Sequence, residues 1–345
     1  MSLPSSPKIL IIRRDNIGDL VCTTPLISAL RRRFAAAWLG ALVNSYNAPV
    51  LDGNPDLDDV LAYTKAKHRA PDQSLAGILW RRLRMMQRLR DMQLDDVIIA
   101  TTSPQPRLIT LARWLKPKRL IGFGESGALD VALPPDSAGR HEVEDVFRVA
   151  SIYGIDGPPP ACRVIGPKMQ SRSAALTIGI HISARKPSQR WPADRFAATV
   201  GALAAQGPLR FMLLWSPGAG DNPLHPGDDA KAQAVLEDLR RSGIPFDGAD
   251  ARMIARPTQT LAQLIEALAG CDALICADGG AMHLAAGLGL PVVCLFGDSD
   301  AQRWRPWGVP YRLLQQPSLD VKDIGVDQVV SAFNALQADI PAPDP

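Results

Sequence analysis

No stretch of the chain approaches the ~20 consecutive apolar residues that a membrane-spanning helix requires, so an integral membrane protein is not expected. The opening residues, MSLPSSPKILIIRRDN, set only a short apolar run before two arginines and do not make a signal peptide. Cysteine is scarce: five residues, at 22, 162, 271, 276 and 294, with no Cys or His partner at metal-ligand spacing. An odd count in that pattern points to reduced core thiols and to no metal site. Short-period repeats and low-complexity tracts are also missing. With 46% apolar and 21% charged residues, the chain reads as a cytoplasmic globular protein. Its 345 residues are enough for two domains with proper cores.

The net charge of +3 conceals an asymmetry. Residues 1–165 hold 22 Lys and Arg against 17 Asp and Glu, a net +5; the remainder holds 16 against 18, a net −2. Much of the excess lies in 80–90 (WRRLRMMQRLR), which on a helix forms a basic face with Leu and Met opposite. Such a face is either solvated or attracts an anionic partner, a phosphorylated substrate or an acidic membrane surface. No nucleic-acid motif accompanies the charge, so nucleic acid is not the expected partner.

Strand-like apolar runs alternate with helical periodicity along the first half. Strands are expected at 8–13, 37–43, 60–63, 96–101 and 119–123, and helices at 19–34, 74–92, 106–115 and 142–153. A proline–glycine cluster at 157–160, followed by Gly166, Pro167 and the polar 170–173, is the best linker. A second alternating set follows: strand 177–182, helix 193–205, strand 209–215, helices 230–241 and 261–269, and a last helix at 326–336. Alternation of this kind means parallel sheets with helices on both faces. Two doubly wound Rossmann-like domains are expected, 1–165 and 166–325, with ligands at the strands' carboxyl edges and the sheets facing across an interdomain cleft. The terminal 326–345 is expected to pack back toward the N-terminal domain.

Four segments invite a chemical interpretation. Residues 122–127 (GFGESG) match G-x-G-x-x-G literally, but ALDVALPPDS follows where a dinucleotide site needs a helix, so a plain turn is expected. Residues 13–19 (RRDNIGD) lie between the first strand and first helix. There Asp19 is either an N-cap or a carboxylate that takes a proton from a substrate hydroxyl, and nothing local separates it from Asp15 in that role. Residues 183–192 (SARKPSQRWP) gather cations and hydroxyls suited to a diphosphate, or form a solvated loop. In 276–308, a strand end, Gly279-Gly280 and a helix start would present free N–H groups and a positive dipole to a phosphate. His283 on that helix, like Trp304 and Trp307, is more often a packing residue.

Together these segments resemble the family 9 glycosyltransferases, the ADP-heptose:lipopolysaccharide heptosyltransferases. The family pattern of a strand, an arginine, I-G-D and T-T-P matches Ile12-Arg13, Ile17-Gly18-Asp19 and Thr23-Thr24-Pro25. Its K-R-W-P signature matches Gln189-Arg190-Trp191-Pro192. Its D-T-G-P-M-H-L-A, L-F-G-P-T-D and W-x-P-W-G match 278–285, 295–300 and 304–308. The resemblance implies a GT-B fold, with the donor in the C-terminal domain and the acceptor in the N-terminal one. It implies an inverting, metal-independent transfer of heptose from ADP-heptose to an anionic lipopolysaccharide inner-core acceptor, at the inner membrane face and without a cofactor. Asp19 would be the general base. Arg13, Asn16, Gly18, Thr24 and His141 would serve the acceptor. Ser183, Gln189, Arg190, Asp278, Gly279, Gly280, Ala281, Met282, His283 and Ser299 would serve the donor, and Asp221 would take the ribose-binding acid's place in the proline- and glycine-rich 216–229. The family's lysine is replaced by Gln189, and its threonine and proline by Gly279 and Ala281. Those departures keep open another nucleotide-sugar or acceptor, or a non-catalytic nucleotide-sugar-binding protein.

Overall fold

The run KILIIR at Lys8–Arg13 forms strand β1, buried from its second residue onward because it lies at the middle of a sheet covered on both faces. A computed structural model describes residues 4, 6–63, 74–103, 105–135, 139–167, 175–221, 227–246 and 251–340. The chain divides into two units, Met1–Ile165 and Gly166–Pro345. The polar segment 170–173, residues 222–226 of the proline-rich loop and the tail 341–345 lie outside the described residues.

In the first unit β1 is followed by α1 (Ile17–Val21), α2 (Thr24–Arg33), β2 (Trp38–Asn44), β3 (Asp59–Tyr63), α3 (Leu75–Asp91), β4 (Asp96–Ile99), α4 (Pro106–Trp114), β5 (Arg119–Phe123), β6 (Val131–Leu133) and α5 (Glu142–Phe147). All six strands are parallel, in the order β3-β2-β1-β4-β5-β6. The single helix expected over 19–34 is two. Pro25 lacks an N–H and fits only a first turn, so α2 restarts there behind Thr23. The helix expected over 142–153 gives way after Phe147 to a 3₁₀ turn that stops at left-handed Gly154.

The second unit repeats the plan with β7 (Thr177–His181), α6 (Ala193–Gln206), β8 (Arg210–Trp215), α7 (Asp229–Arg241), β9 (Met253–Pro257), α8 (Leu261–Ala269), β10 (Ala273–Ala277), α9 (Gly280–Gly287), β11 (Val292–Phe296), α10 (Ala301–Trp304), β12 (Tyr311–Gln315) and α11 (Val326–Gln337). Its parallel order is β12-β11-β10-β7-β8-β9. Strands β6, β9 and β12 escaped the periodicity, and all three are sheet edges. An edge strand is only partly covered, so it need not carry a continuous apolar run. The GFGESG segment ends β5 and leads through a turn at Gly124 toward β6, with no helix behind it.

Helix α11 inserts Val329, Ala332, Phe333 and Leu336 into the second unit's own core, beside Val293 and Leu295 of β11. The reason is burial: these residues recur at helical spacing and cover a face of the sheet that would otherwise be wet. Trp191 locks the same layer, its Nε1 donating to the carbonyl of Ile324 at 3.0 Å and its ring meeting Phe196 edge-on. Among the described residues no helix is long and apolar enough to cross a membrane. Replacing Phe333 with Ala is expected to cost about 3–5 kcal/mol, measured as a lower urea midpoint of the second unit; an unchanged midpoint would refute the placement of α11.

Candidate functional site

Each sheet has one point where successive connections leave in opposite directions, and each point carries a polar cluster. In the first unit it lies between β1 and β4. Arg13, the last residue of β1, is 2% exposed, and its guanidinium meets three carboxylates and a backbone carbonyl. Nη2 donates to Glu142 Oε1 at 2.6 Å and to Asp19 Oδ1 at 2.8 Å, Nη1 donates to the carbonyl of Ala100, and Nε lies 3.0 Å from Asp15 Oδ2. Burial by itself would lower the arginine's pKa; Glu142, then Asp19 and Asp15, outweigh that and raise it. Arg13 is therefore a permanent buried cation holding three carboxylates.

Asp19 is not the N-cap of α1. That position belongs to Asn16, whose backbone is extended, and Asp19 sits one turn in, at the third helical position. Its Oδ2 accepts from both the backbone N and the side-chain Nδ2 of Asn16, each at 3.0 Å, which is half of a capping box. Asp15 points the other way along the rim, its Oδ2 accepting from Thr101 Oγ1 at 2.9 Å. Both carboxylates remain partly accessible. Other acceptor-side residues have internal work. Gly18 is buried in α1, and the buried Thr24 hydroxyl donates to the carbonyl of Val21 at 2.7 Å and accepts from the N–H of Arg163 at 2.9 Å. His141 is fully buried as the N-cap of α5, its Nδ1 accepting from the N–H of Val143 at 3.0 Å. The residue that reaches the site from that helix start is its neighbour Glu142.

In the second unit the switch lies between β7 and β10. The loop leaving β7 and the turn leaving β10 meet there. Gln189 Nε2 donates to Asp278 Oδ2 at 2.8 Å and to Ser299 Oγ at 3.0 Å, so three residues singled out separately converge on one buried amide. The loop approaches so closely that a Cβ at Gly297 would lie 2.3 Å from the Ser188 carbonyl oxygen, which only glycine avoids. Gln315 Nε2 holds the other side, donating to the carbonyls of Gly297 and Ser299. Behind Asp278, Gly279 is the N-cap of α9 with φ +155° and no side chain to satisfy the helix. Ala281, Met282 and His283 are buried, so what Ala281 and Met282 offer a ligand is first-turn backbone N–H, while the N–H of His283 donates to the Gly279 carbonyl at 3.4 Å. His283 packs edge-on to Trp304, as a packing residue would.

The remaining donor-side residues divide. Ser183 Oγ accepts from the N–H of Ser216 at 2.9 Å, and Arg190 donates to the carbonyls of Ala184 and Arg185 in its own loop. Lys186 and Ser188 are drawn to Asp298, whose carboxyl is held below its usual range by the Ser188 hydroxyl and Lys186. Asp221 is exposed in a turn. Nothing local in the sequence marks Lys231 of α7. Its Nζ donates to the carbonyl of Ile182 at 2.8 Å. Ile182 follows His181, the last residue of β7, so this amine stands at the carboxyl edge of that strand, with Asp228 and Arg190 as its charged neighbours. Burial lowers it to about 8, Asp228 opposing and Arg190 adding to the effect. His181, buried next to it, is held neutral with a pKa pushed down to about 4 by burial and then by Lys231.

All five cysteines are buried free thiols. Cys276 and Cys294 are register partners on β10 and β11, both pushed up by burial, so neither is a nucleophile. Among the described residues no group of three or more His, Cys, Asp and Glu could hold a metal ion.

Residues 82–323 match the model of glycosyltransferase family 9 (heptosyltransferase). The chain is 26% identical over 309 residues to lipopolysaccharide heptosyltransferase 3 of Escherichia coli (strain K12), covering 84% of this chain and 82% of that protein. Among solved structures it resembles a glycosyl transferase family 9 protein from Veillonella parvula DSM 2008, with TM-score 0.77, 20% identity and coverage of 96% and 97%. It also resembles E. coli heptosyltransferase WaaC with ADP, with TM-score 0.75, 16% identity and coverage of 95% and 99%. At those identities the structures speak for the fold, which is GT-B.

Replacing Arg13 with Met would leave Asp15, Asp19 and Glu142 crowded with no cation. The expected loss is about 3–5 kcal/mol of stability, measured by urea unfolding, and a neutral result would show that Arg13 does not hold the cluster together.

Proposed function

Since the chain belongs to glycosyltransferase family 9, the heptosyltransferases, we propose that it transfers heptose from ADP-heptose to an inner-core acceptor of lipopolysaccharide, with inversion and without a metal. The observation that carries this is the convergence of Gln189, Asp278 and Ser299 on the turn before the uncapped start of α9. That arrangement offers amides to a diphosphate and a carboxylate to sugar hydroxyls. The names of its relatives, lipopolysaccharide heptosyltransferase 3 and a WaaC solved with ADP, support the choice of donor and acceptor class.

In this scheme the first unit serves the acceptor and the second the donor. Asp19, an ion-paired carboxylate whose orientation is set by Arg13 and Asn16, takes the proton from the acceptor hydroxyl as that oxygen attacks the anomeric carbon. The ADP leaving group gathers negative charge as the glycosidic bond breaks. Backbone N–H groups at Gly280, Ala281 and Met282 stabilise it, with Arg190 and Lys231 as the cations. Lys231 here supplies the charge that Gln189 does not, and Gln189 instead orients Asp278 and Ser299. Asp221 takes the ribose. A second reading, another nucleotide-sugar, is favoured by one observation: where the family pattern has threonine, Gly279 leaves open space within 4 Å of where a Cβ would stand.

Asp19→Asn is expected to lower transfer by roughly 10²-fold or more while calorimetric ADP-heptose affinity stays near that of the wild type; retained turnover would remove Asp19 from the role. Titration with ADP-, GDP- and UDP-sugars separates the two donor readings, and UDP binding without ADP binding would reject the first. Lys231 is cationic below about 8, so ADP affinity should weaken as pH rises through that value. Lys231→Met should bind ADP about tenfold more weakly at neutral pH and lose that pH dependence; a variant with the wild-type profile would show that the amine does not touch the diphosphate.

A further inference from the structure

The edge of a guanidinium that carries Nε and Nη2 is a fork that ordinarily takes the two oxygens of one carboxylate. At Arg13 it takes one oxygen from each of two: Asp15 Oδ2 lies 3.0 Å from Nε, and Asp19 Oδ1 lies 2.8 Å from Nη2. The two carboxylates therefore stand side by side at the carboxyl edge of β1, 18% and 13% exposed. Charge balance does not require both. Glu142, 1% exposed and 2.6 Å from Nη2, already answers the Arg13 cation together with Asp19. A third carboxylate adds like-charge repulsion to a partly desolvated cluster.

Asp15 is nevertheless held more firmly than a surface loop requires. Its carbonyl accepts from the Tyr46 hydroxyl and from Asn47 Nδ2, the latter at 3.2 Å, and Asn44 Nδ2 donates to the neighbouring Arg14 carbonyl at 2.7 Å. Asn44 and Asn47 are buried, so side chains from the segment after β2 do for this loop what water does for an ordinary one. From across the crevice Thr101 Oγ1 donates to Asp15 Oδ2 at 2.9 Å. Among the described residues the other oxygen, Oδ1, has only Gln105 Nε2, at 3.5 Å, beyond the usual N–H···O range. Both oxygens of Asp19, by contrast, are taken, one by Arg13 and one by Asn16. Asp15 presents a fixed carboxylate oxygen with spare accepting capacity, next to the base.

Taking Asp19 as the base, we propose that Asp15 binds a second hydroxyl of the acceptor sugar, on the carbon next to the one that is glycosylated. The acceptor is then a vicinal diol. Two carboxylates on neighbouring nitrogens of one guanidinium match two hydroxyls on neighbouring carbons. An ionised carboxylate only accepts, so its partner is a donor, and an acidic group of the acceptor placed here would meet like charge. The attacked hydroxyl gives its proton to Asp19, while the hydroxyl at Asp15 keeps its own. Asp15 is a binding residue that fixes which of two adjacent oxygens faces the base, and the pinned loop sets that geometry before the acceptor arrives.

The test uses a synthetic disaccharide of the lipopolysaccharide inner core and its counterpart lacking the hydroxyl beside the accepting one. Calorimetry on the full-length protein in the presence of ADP reads their binding apart from turnover. Wild type should bind the deoxy compound roughly 10- to 100-fold more weakly than the parent. Asp15→Asn should weaken the parent by a similar factor and bind the two compounds alike, its cost falling on acceptor KM rather than on kcat. Thr101→Val, which loosens the carboxylate without removing its charge, should lose part of the same discrimination, and it keeps the test decisive if Asp15→Asn does not fold. Wild type that binds both disaccharides alike, or an Asp15→Asn variant that still discriminates between them, overturns the proposal. So does an Asp15→Asn variant that loses kcat with acceptor binding intact, since Asp15 would then be the base. Failure of the underlying functional reading shows separately, in wild type that neither binds nor glycosylates the parent disaccharide, and it removes the proposal with it.

Discussion

In a doubly wound sheet the connections on either side of one strand leave toward opposite faces, and the crevice between them cannot be closed by packing. Everything chemical in this protein is organised around that constraint, twice. Between β1 and β4 the loops that diverge carry Arg13, Asp15 and Asp19 from one side and Thr101 from the other. Between β7 and β10 they carry Gln189 from one side and Asp278 from the other. The strands are buried and apolar to within a residue of each crevice, so the polar groups are confined to where the backbone itself turns outward.

The two crevices solve the electrostatic problem differently. In the first, a buried cation would be ruinous alone, and Arg13 is tolerated because three carboxylates and a backbone carbonyl surround it. The arrangement orients Asp19 through two of its oxygen contacts without covering it. In the second, the amide of Gln189 bridges an acid and a hydroxyl with no net charge of its own. Lys231 of the same unit is buried enough for its pKa to be lowered, and its amine is held by the Ile182 carbonyl.

The two units also treat their helices unequally. Helix α11 spends its apolar face on the second unit's core, with Phe333 fully buried. Helix α3 spends only half of its apolar residues that way, and leaves Leu79, Trp80 and Leu83 outside beside arginines.

Much of this was legible in the sequence. The alternation of buried runs and amphipathic helices determined two parallel α/β units, because a strand covered on both faces must be apolar throughout and a helix covering it must be apolar on one side. The family resemblance marked Asp19, Gln189, Asp278 and Ser299, all of which lie in segments that follow strands. Partnership was not legible. Strands β6, β9 and β12 lie at sheet edges, where partial cover does not demand a continuous apolar run, although the fourth edge, β3, keeps one. Asn16 rather than Asp19 caps α1, since backbone angles settle where a helix starts. His141, Thr24 and Met282 turn inward while Glu142 and Lys231, which no local pattern marks, reach the crevices. Sequence thus determined which elements form and which residues are polar at their ends. Only the tertiary structure decided which of those residues meet, because a hydrogen bond between residues 89 positions apart depends on the register of strands that neither residue occupies.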